Sequence, residues 1–121
     1  MPNFRLDDRV AIVTGGSQGI GRAISLALAE AGADLVIAAR TPEHVESACN
    51  EARRFGHRVL GVSADCTKAD EVEHLVQRAL DTFSRIDVLV NNLGGAHSPQ
   101  FKLGPLLQLT ESDLDGCIAF N

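Results

Sequence analysis

Two kinds of segment alternate along the chain. Val10-Ala11-Ile12-Val13, Leu35-Val36-Ile37-Ala38-Ala39, Val59-Leu60-Gly61-Val62-Ser63-Ala64 and Ile86-Asp87-Val88-Leu89-Val90 are short and largely apolar. Such runs predict strands covered on both faces. Between them apolar residues recur at helical spacing: Ile20, Ala23, Ile24, Ala27, Leu28 and Ala31; then Val45, Ala48, Cys49, Ala52 and Phe55; then Val72, Leu75, Val76, Ala79, Leu80 and Phe83. Each set predicts a helix with one buried face.

Local signals place the boundaries. The first helix is expected from about Gly19 to Ala31, with Gly32 as its stop. Thr41-Pro42-Glu43 sets a cap, a first-turn proline and an early acid in the order that begins the second helix, and Gly56 closes it. The fourth strand runs into Asn91-Asn92-Leu93-Gly94-Gly95. A stretch of about fifteen residues with Pro99, Gly104 and Pro105 follows, long enough to point to a functional loop. Thr110-Glu111-Ser112-Asp113 then has the pattern of a further helix start.

Alternating strands and helices predict an α/β fold with a parallel sheet and right-handed crossovers. The turns differ from unit to unit, so the chain is not a repeat protein. Residues 1–121 are expected to form one domain. A helix from Thr110 would reach Asn121 after about three turns without a glycine, proline or cap. The apolar fourth strand would also be left at a sheet edge. The expectation is therefore the first half of a larger sheet; the alternative is a short protein that dimerises through this edge.

Composition narrows the classes. With 45% hydrophobic residues the chain can bury a core, and a formal net charge of −5 without a basic cluster argues against nucleic acid. No apolar run approaches the roughly 20 residues that span a bilayer, and Met1-Pro2-Asn3-Phe4-Arg5 lacks a signal-peptide core, so a cytoplasmic protein is expected. Cys49, Cys66 and Cys117 are odd in number and scattered, which fits reduced thiols. His44, His57, His74 and His97 lack metal-ligand spacing. They read as solvated surface residues, and no metal site is expected.

The chemistry concentrates in Thr14-Gly15-Gly16-Ser17-Gln18-Gly19-Ile20-Gly21, between the first strand and its helix. A helix start leaves backbone N–H groups unpaired, carrying roughly half a positive charge in sum, and attracts phosphate. Glycines there permit a tight turn and close approach of a pyrophosphate. The other strands end at Ala39-Arg40, Asp65-Cys66 and Asn91 to Gly95. In an open parallel sheet the ligand crevice lies at such ends. Four polar or glycine-rich ends together point to a nucleotide lying across them.

These residues resemble the classical short-chain dehydrogenases and reductases. Thr14, Gly15, Gly19 and Gly21 match the family's Thr-Gly-x-x-x-Gly-x-Gly motif, Asp65 its adenine-contacting aspartate, and Asn91-Asn92-Leu93-Gly94 nearly its Asn-Asn-Ala-Gly motif. Leu93 departs from the usual alanine. The resemblance spans essentially the whole chain and implies a Rossmann-type doubly wound sheet of strand order 3-2-1-4. It further implies that Gly15, Ser17, Gln18, Gly19, Ile20 and Gly21 form the phosphate and ribose turn. Asp65 would accept from the adenine amino group, the Cys66 backbone would touch the ring, and Asn91 and Gly94 would lie on the ribose and nicotinamide side. The plainer alternatives are a core-filling Cys66 and an Asn91-Asn92 pair that only ties strand ends together.

An acid at the end of the second strand would repel a 2′-phosphate and favour NAD(H). That position holds Ala39, and Arg40 follows, able to make paired charge-assisted bonds to a phosphate. Gln18 is neutral, so the second basic residue of some NADP-dependent relatives is absent. NADP(H) is favoured over NAD(H), the alternative being an Arg40 that touches only solvent.

The resemblance also implies hydride transfer between nicotinamide and a small carbonyl or alcohol substrate, in a homodimer or homotetramer. An alkoxide left by the hydride must be protonated. Asn121 matches the family's relay asparagine, whereas the serine and the Tyr-x-x-x-Lys motif would lie beyond it. The chain contains no tyrosine. It is therefore expected to be inactive alone, as the cofactor-binding half of an oxidoreductase; the alternative is a non-catalytic nucleotide-binding or scaffold module.

Overall fold

A computed structural model describes residues 5–92. Strands β1 (Val10–Thr14), β2 (Asp34–Ala39), β3 (Val59–Ser63) and β4 (Val88–Asn91) alternate with helices α1 (Gly19–Glu30), α2 (Pro42–Ala52) and α3 (Ala69–Phe83). The strands form one parallel sheet in the order β3-β2-β1-β4, the order expected. Growth of the sheet reverses at β1, which opens a crevice beside it. Register keeps the strand ends level, with Thr14 opposite both Ala38 and Asn91, and Ala39 opposite Ser63.

The alternation of strand side chains divides the core. Ala11 and Val13 join Leu35 and Ile37 on the face covered by Ala29 of α1 and by Val45, Ala48, Cys49 and Ala52 of α2. Val10 and Ile12 join Val36 and Ala38 on the opposite face, beneath Leu75, Ala79 and Phe83 of α3. All five residues of β1 are buried. A strand with helices on both sides needs apolar residues at every position, which is why β1 reads as an unbroken run.

Two helical faces differ from the sequence expectation. In α1 the buried row is Gly21, Ser25 and Ala29, while Ile20 is 74% exposed and Ala23 and Ala27 also face outward. The small row allows close approach to the sheet, and Ser25 meets its own polar requirement by donating to the Gly21 carbonyl at 2.9 Å, with the Gly16 carbonyl at 3.2 Å. In α3, Leu75, Ala79 and Phe83 are buried, whereas Val72, Val76 and Leu80 are 36–39% exposed. Val72 and Val76 border a hollow of about 220 Å³ with Leu89 of β4, because no described element covers that face of the outer strand.

Phe55 also leaves its expected stripe. The second helix ends at Ala52, and Phe55 lies in a separate 3₁₀ turn, Arg53–Phe55, at 41% exposure. Gly56 then adopts φ +87°, as a helix-stopping glycine does. Pro42 occupies the first turn of α2 as expected, but the Thr41 side chain makes no capping bond; its carbonyl accepts from the His44 and Val45 N–H groups. The stretch from Leu93 onward, with Gly94, Cys117, Asn121 and the helix expected from Thr110, lies outside the described residues.

Candidate functional site

The turn after β1 is built by hydrogen bonds and by missing side chains. Gly15 donates to the Ala38 carbonyl at 2.8 Å and bends at φ +63°. The first helical bond of α1 runs from the Arg22 N–H to the Gln18 carbonyl at 3.1 Å, so the N–H groups of Gly19, Ile20 and Gly21 precede any intrahelical acceptor. Gln18 makes no side-chain cap, and the first turn of α1 carries no acid. By contrast, Glu43 begins α2, and Asp70 and Glu71 begin α3. The start of α1 thus keeps its partial positive charge for an anion.

This turn opens into a cavity of about 280 Å³ that also involves β2 and β4. Gly15, Ser17 and Gln18 border it from the turn, Ala39, Arg40 and Thr41 from the end of β2, His44 from α2, and Asn92 from the end of β4. The structure therefore brings Gly15, Ser17, Gln18 and Arg40 together. Gly19 and Ile20 are exposed at the helix start, and Gly21 is buried beneath the turn. Arg40 borders a second hollow of about 190 Å³ with Ser63, Ala64, Asp65 and Glu71.

Asp65 is fixed by its neighbours. Its Oδ1 accepts from the Thr67 hydroxyl at 2.6 Å and the Thr67 N–H at 3.0 Å, while its own N–H donates to Glu71 Oε1 at 2.9 Å. The Thr67 hydroxyl bond, followed by the Thr67 backbone bond, holds the Asp65 carboxyl below its ordinary range. It is ionised at neutral pH, with Oδ2 free of these bonds.

Cys66 and Asn91 lie elsewhere. Both border the apolar hollow under Val72, Val76 and Leu89, on the α3 side. Burial, then the charges of Asp65 and Glu71, pushes the Cys66 thiol upward, which keeps it protonated and unreactive. Asn91 Oδ1 lies 3.2 Å from Thr14 Oγ1, and the same hydroxyl lies 3.3 Å from the Val90 carbonyl. The polar group that β4 presents to the nucleotide-sized cavity is the next residue, Asn92, whose Nδ2 faces the Gly15 carbonyl at 3.5 Å. Strand alternation sends Asn91 and Asn92 to opposite faces, so this division is readable from the sequence. Thr41 and His44 also border the cavity without having been expected there; His44 lies in the first turn of α2, which begins at Pro42.

A larger open groove of about 780 Å³ lies between α1 and α2. Glu43, Glu46 and Glu51 line it alongside Arg22 and Arg54, so its charges largely offset one another. Arg22 crosses this groove, pairing with the Glu51 carboxylate and donating to Ser47 Oγ at 3.3 Å and the Ser17 carbonyl at 3.4 Å. It ties the glycine turn to α2. Among the described residues no cluster of three His, Cys, Asp or Glu is placed to hold a metal, and no helix is long and apolar enough to cross a membrane.

The family described as short chain dehydrogenase matches residues 9–121. An uncharacterized oxidoreductase of Mycobacterium tuberculosis is 40% identical over 118 residues, covering 98% of this chain and 43% of the relative. A putative short-chain alcohol dehydrogenase from Sinorhizobium meliloti superposes with a TM-score of 0.78 at 32% identity, covering 99% of this chain and 46% of that one. The Pseudomonas aeruginosa protein RhlG, solved with NADP in its active site, gives 0.72 at 36% identity over 78% of this chain and 38% of its own. The chain spans less than half the length of these proteins.

Proposed function

This chain belongs to the short-chain dehydrogenase family, and from that premise we propose that it supplies the cofactor-binding part of an NADP(H)-preferring oxidoreductase. The carrying observation is the cavity at the strand ends, where the uncapped start of α1 meets Arg40 and no carboxylate among the described residues borders the space. The residues fit a dinucleotide. A Cβ at Gly19 would meet nothing within 4 Å, so the outer side of the turn is open to a ligand, whereas Gly21 is packed against the Gly15 carbonyl and lets the turn close.

In this reading Gly15, Ser17, Gln18, Gly19, Ile20 and Gly21 hold the pyrophosphate and adenosine ribose through backbone N–H groups. Arg40 takes the 2′-phosphate in charge-assisted bonds. Asp65 accepts from the adenine amino group through Oδ2, and Cys66 contributes its backbone. Asn91 and Gly94 serve the ribose and nicotinamide side, Asn91 through its backbone because its side chain turns to Thr14 on the α3 side. The bound cofactor supplies or accepts a hydride, and the chain's own task is to orient it at the level strand ends and to exclude competing anions by size. Asn121 belongs to the proton relay for a small carbonyl or alcohol substrate.

Residues 1–121 are one dinucleotide-binding domain within a larger single-domain enzyme. A homodimer or homotetramer completes the proposal, and a cytoplasmic location fits the free thiols of Cys49 and Cys66. The absence of tyrosine favours a second reading for the 121 residues by themselves, a nucleotide-binding module without catalysis. Calorimetric titration with NADP+ and NAD+, followed by a carbonyl-reductase assay with NADPH, tests the proposal. Binding of NADP+ more tightly than NAD+ is expected. Failure to bind either dinucleotide overturns it, and binding without turnover by the natural full-length protein selects the module.

A further inference from the structure

The cavity at the strand ends is bordered by two side chains able to carry positive charge, Arg40 and His44, on a chain whose net charge is −5. We propose that His44 is a second, specificity-determining ligand of a phosphate monoester in this cavity, sharing the 2′-phosphate of NADP(H) with Arg40. The inference rests on the reading above that the cavity takes the adenosine end of the dinucleotide.

The geometry separates His44 from the acids of its own helix. Glu43 and Glu46 line the groove on the other side of α2, together with Ser47 one turn further on. His44 borders the cavity itself, and its backbone N–H is held by the Thr41 carbonyl at 3.1 Å, which fixes the residue above the end of β2. Among the described residues, those sharing that cavity with it are Gly15, Ser17 and Gln18 from the glycine turn, Ala39, Arg40 and Thr41 from β2 and its turn, and Asn92 from the end of β4. All except Arg40 are neutral. Asp65 and Glu71, the nearest acids across Arg40, border the adjoining hollow instead.

The electrostatic consequence has a definite sign. A phosphate dianion held between Arg40 and His44 favours the protonated imidazole, so binding of NADP(H) takes up a proton. NAD(H), whose 2′-hydroxyl is uncharged, lacks this coupling. Linkage then requires the affinity for NADP(H) to rise as pH falls from 8.0 to 6.5. Below about pH 6 the phosphate itself gains a proton and the advantage declines.

The test is calorimetric titration of the protein with NADP+ and NAD+ at pH 6.5 and 8.0, in two buffers of different ionisation enthalpy, alongside His44→Gln and His44→Lys. Wild type is expected to bind NADP+ about fourfold tighter at the lower pH, with proton uptake, while NAD+ changes little. His44→Gln should lose both the slope and the uptake, and His44→Lys should bind NADP+ tightly at both pH values. A slope that survives in His44→Gln, or a wild type without one, overturns the role of His44 and leaves the Arg40 reading standing. If neither dinucleotide binds, both fall together.

Discussion

Gly21 lies directly against the carbonyl oxygen of Gly15. A Cβ at Gly21 would stand 2.0 Å from that oxygen and 2.5 Å from Asn92 Nδ2. Backbone must move to admit it, so Gly21→Ala is expected to cost about 1–3 kcal/mol of stability and to abolish dinucleotide binding. Gly19→Ala, in open space at φ +56°, should cost about 1–2 kcal/mol from conformation alone. Urea denaturation of both variants measures the difference. Equal stability of Gly21→Ala and wild type would contradict the packing described.

Arg40→Ala should weaken NADP+ binding by about 10- to 100-fold, the range expected for loss of hydrogen bonds to a charged group. NAD+ binding should change by less than about twofold. Fluorescence or calorimetric titration decides it. Parallel losses for the two dinucleotides would place Arg40 outside the 2′-phosphate site.

Asp87 fastens β4 to β1. Its Oδ2 accepts the Val10 N–H at 2.8 Å, and its own N–H donates to the Val10 carbonyl at 2.9 Å. The Arg85 guanidinium, then the Val10 bond, holds the Asp87 carboxyl below its ordinary range. A lowered folded-state value stabilises the fold above the unfolded value of about 3.9, and that contribution is lost as pH falls through the folded value. Wild type should therefore exceed Asp87→Asn in urea midpoint at pH 7, and the gap should narrow below pH 4. A gap that widens in acid would refute the assignment.

Arg22 and Glu51 form a partly exposed pair between α1 and α2. A double-mutant cycle with Arg22→Met and Glu51→Gln should return a coupling of about 0.5–1 kcal/mol, modest because solvent screens the pair. Strict additivity in thermal or urea unfolding would show that the Arg22–Glu51 pair contributes nothing to holding the two helices together.

Much of this arrangement was legible in the order of residues. The unbroken runs at β1 and β2 announced a sheet covered on both faces, and Gly32 and Gly56 marked where helices stop. The glycine turn and Arg40 were visible because their chemistry is local. The facing of α1 was not: Gly21, Ser25 and Ala29 form the buried row through smallness rather than hydrophobicity, and a count of apolar positions selects Ile20 and Ala23 instead. The exposure of Val72 and Val76 depends on what lies over β4, which spacing within α3 does not encode. His44 is exposed, as its spacing leads one to expect, but its place beside the cavity depends on neighbours that arrive from three other segments.

The sheet order also dictates when its parts can form. β1 meets β2 across a short stretch of chain, Val10 pairing with Asp34, but its other edge receives β4 only through contacts 76 and 77 residues away. Long-range parallel pairing is slow because the loop must close before the contacts form. At about 5–20 residues per second, a ribosome would leave that edge of β1 open for several seconds before β4 is made. Newborn chains therefore pass through a three-stranded state in which the apolar β1 is an open edge, a natural target for chaperones or for pairing with another chain.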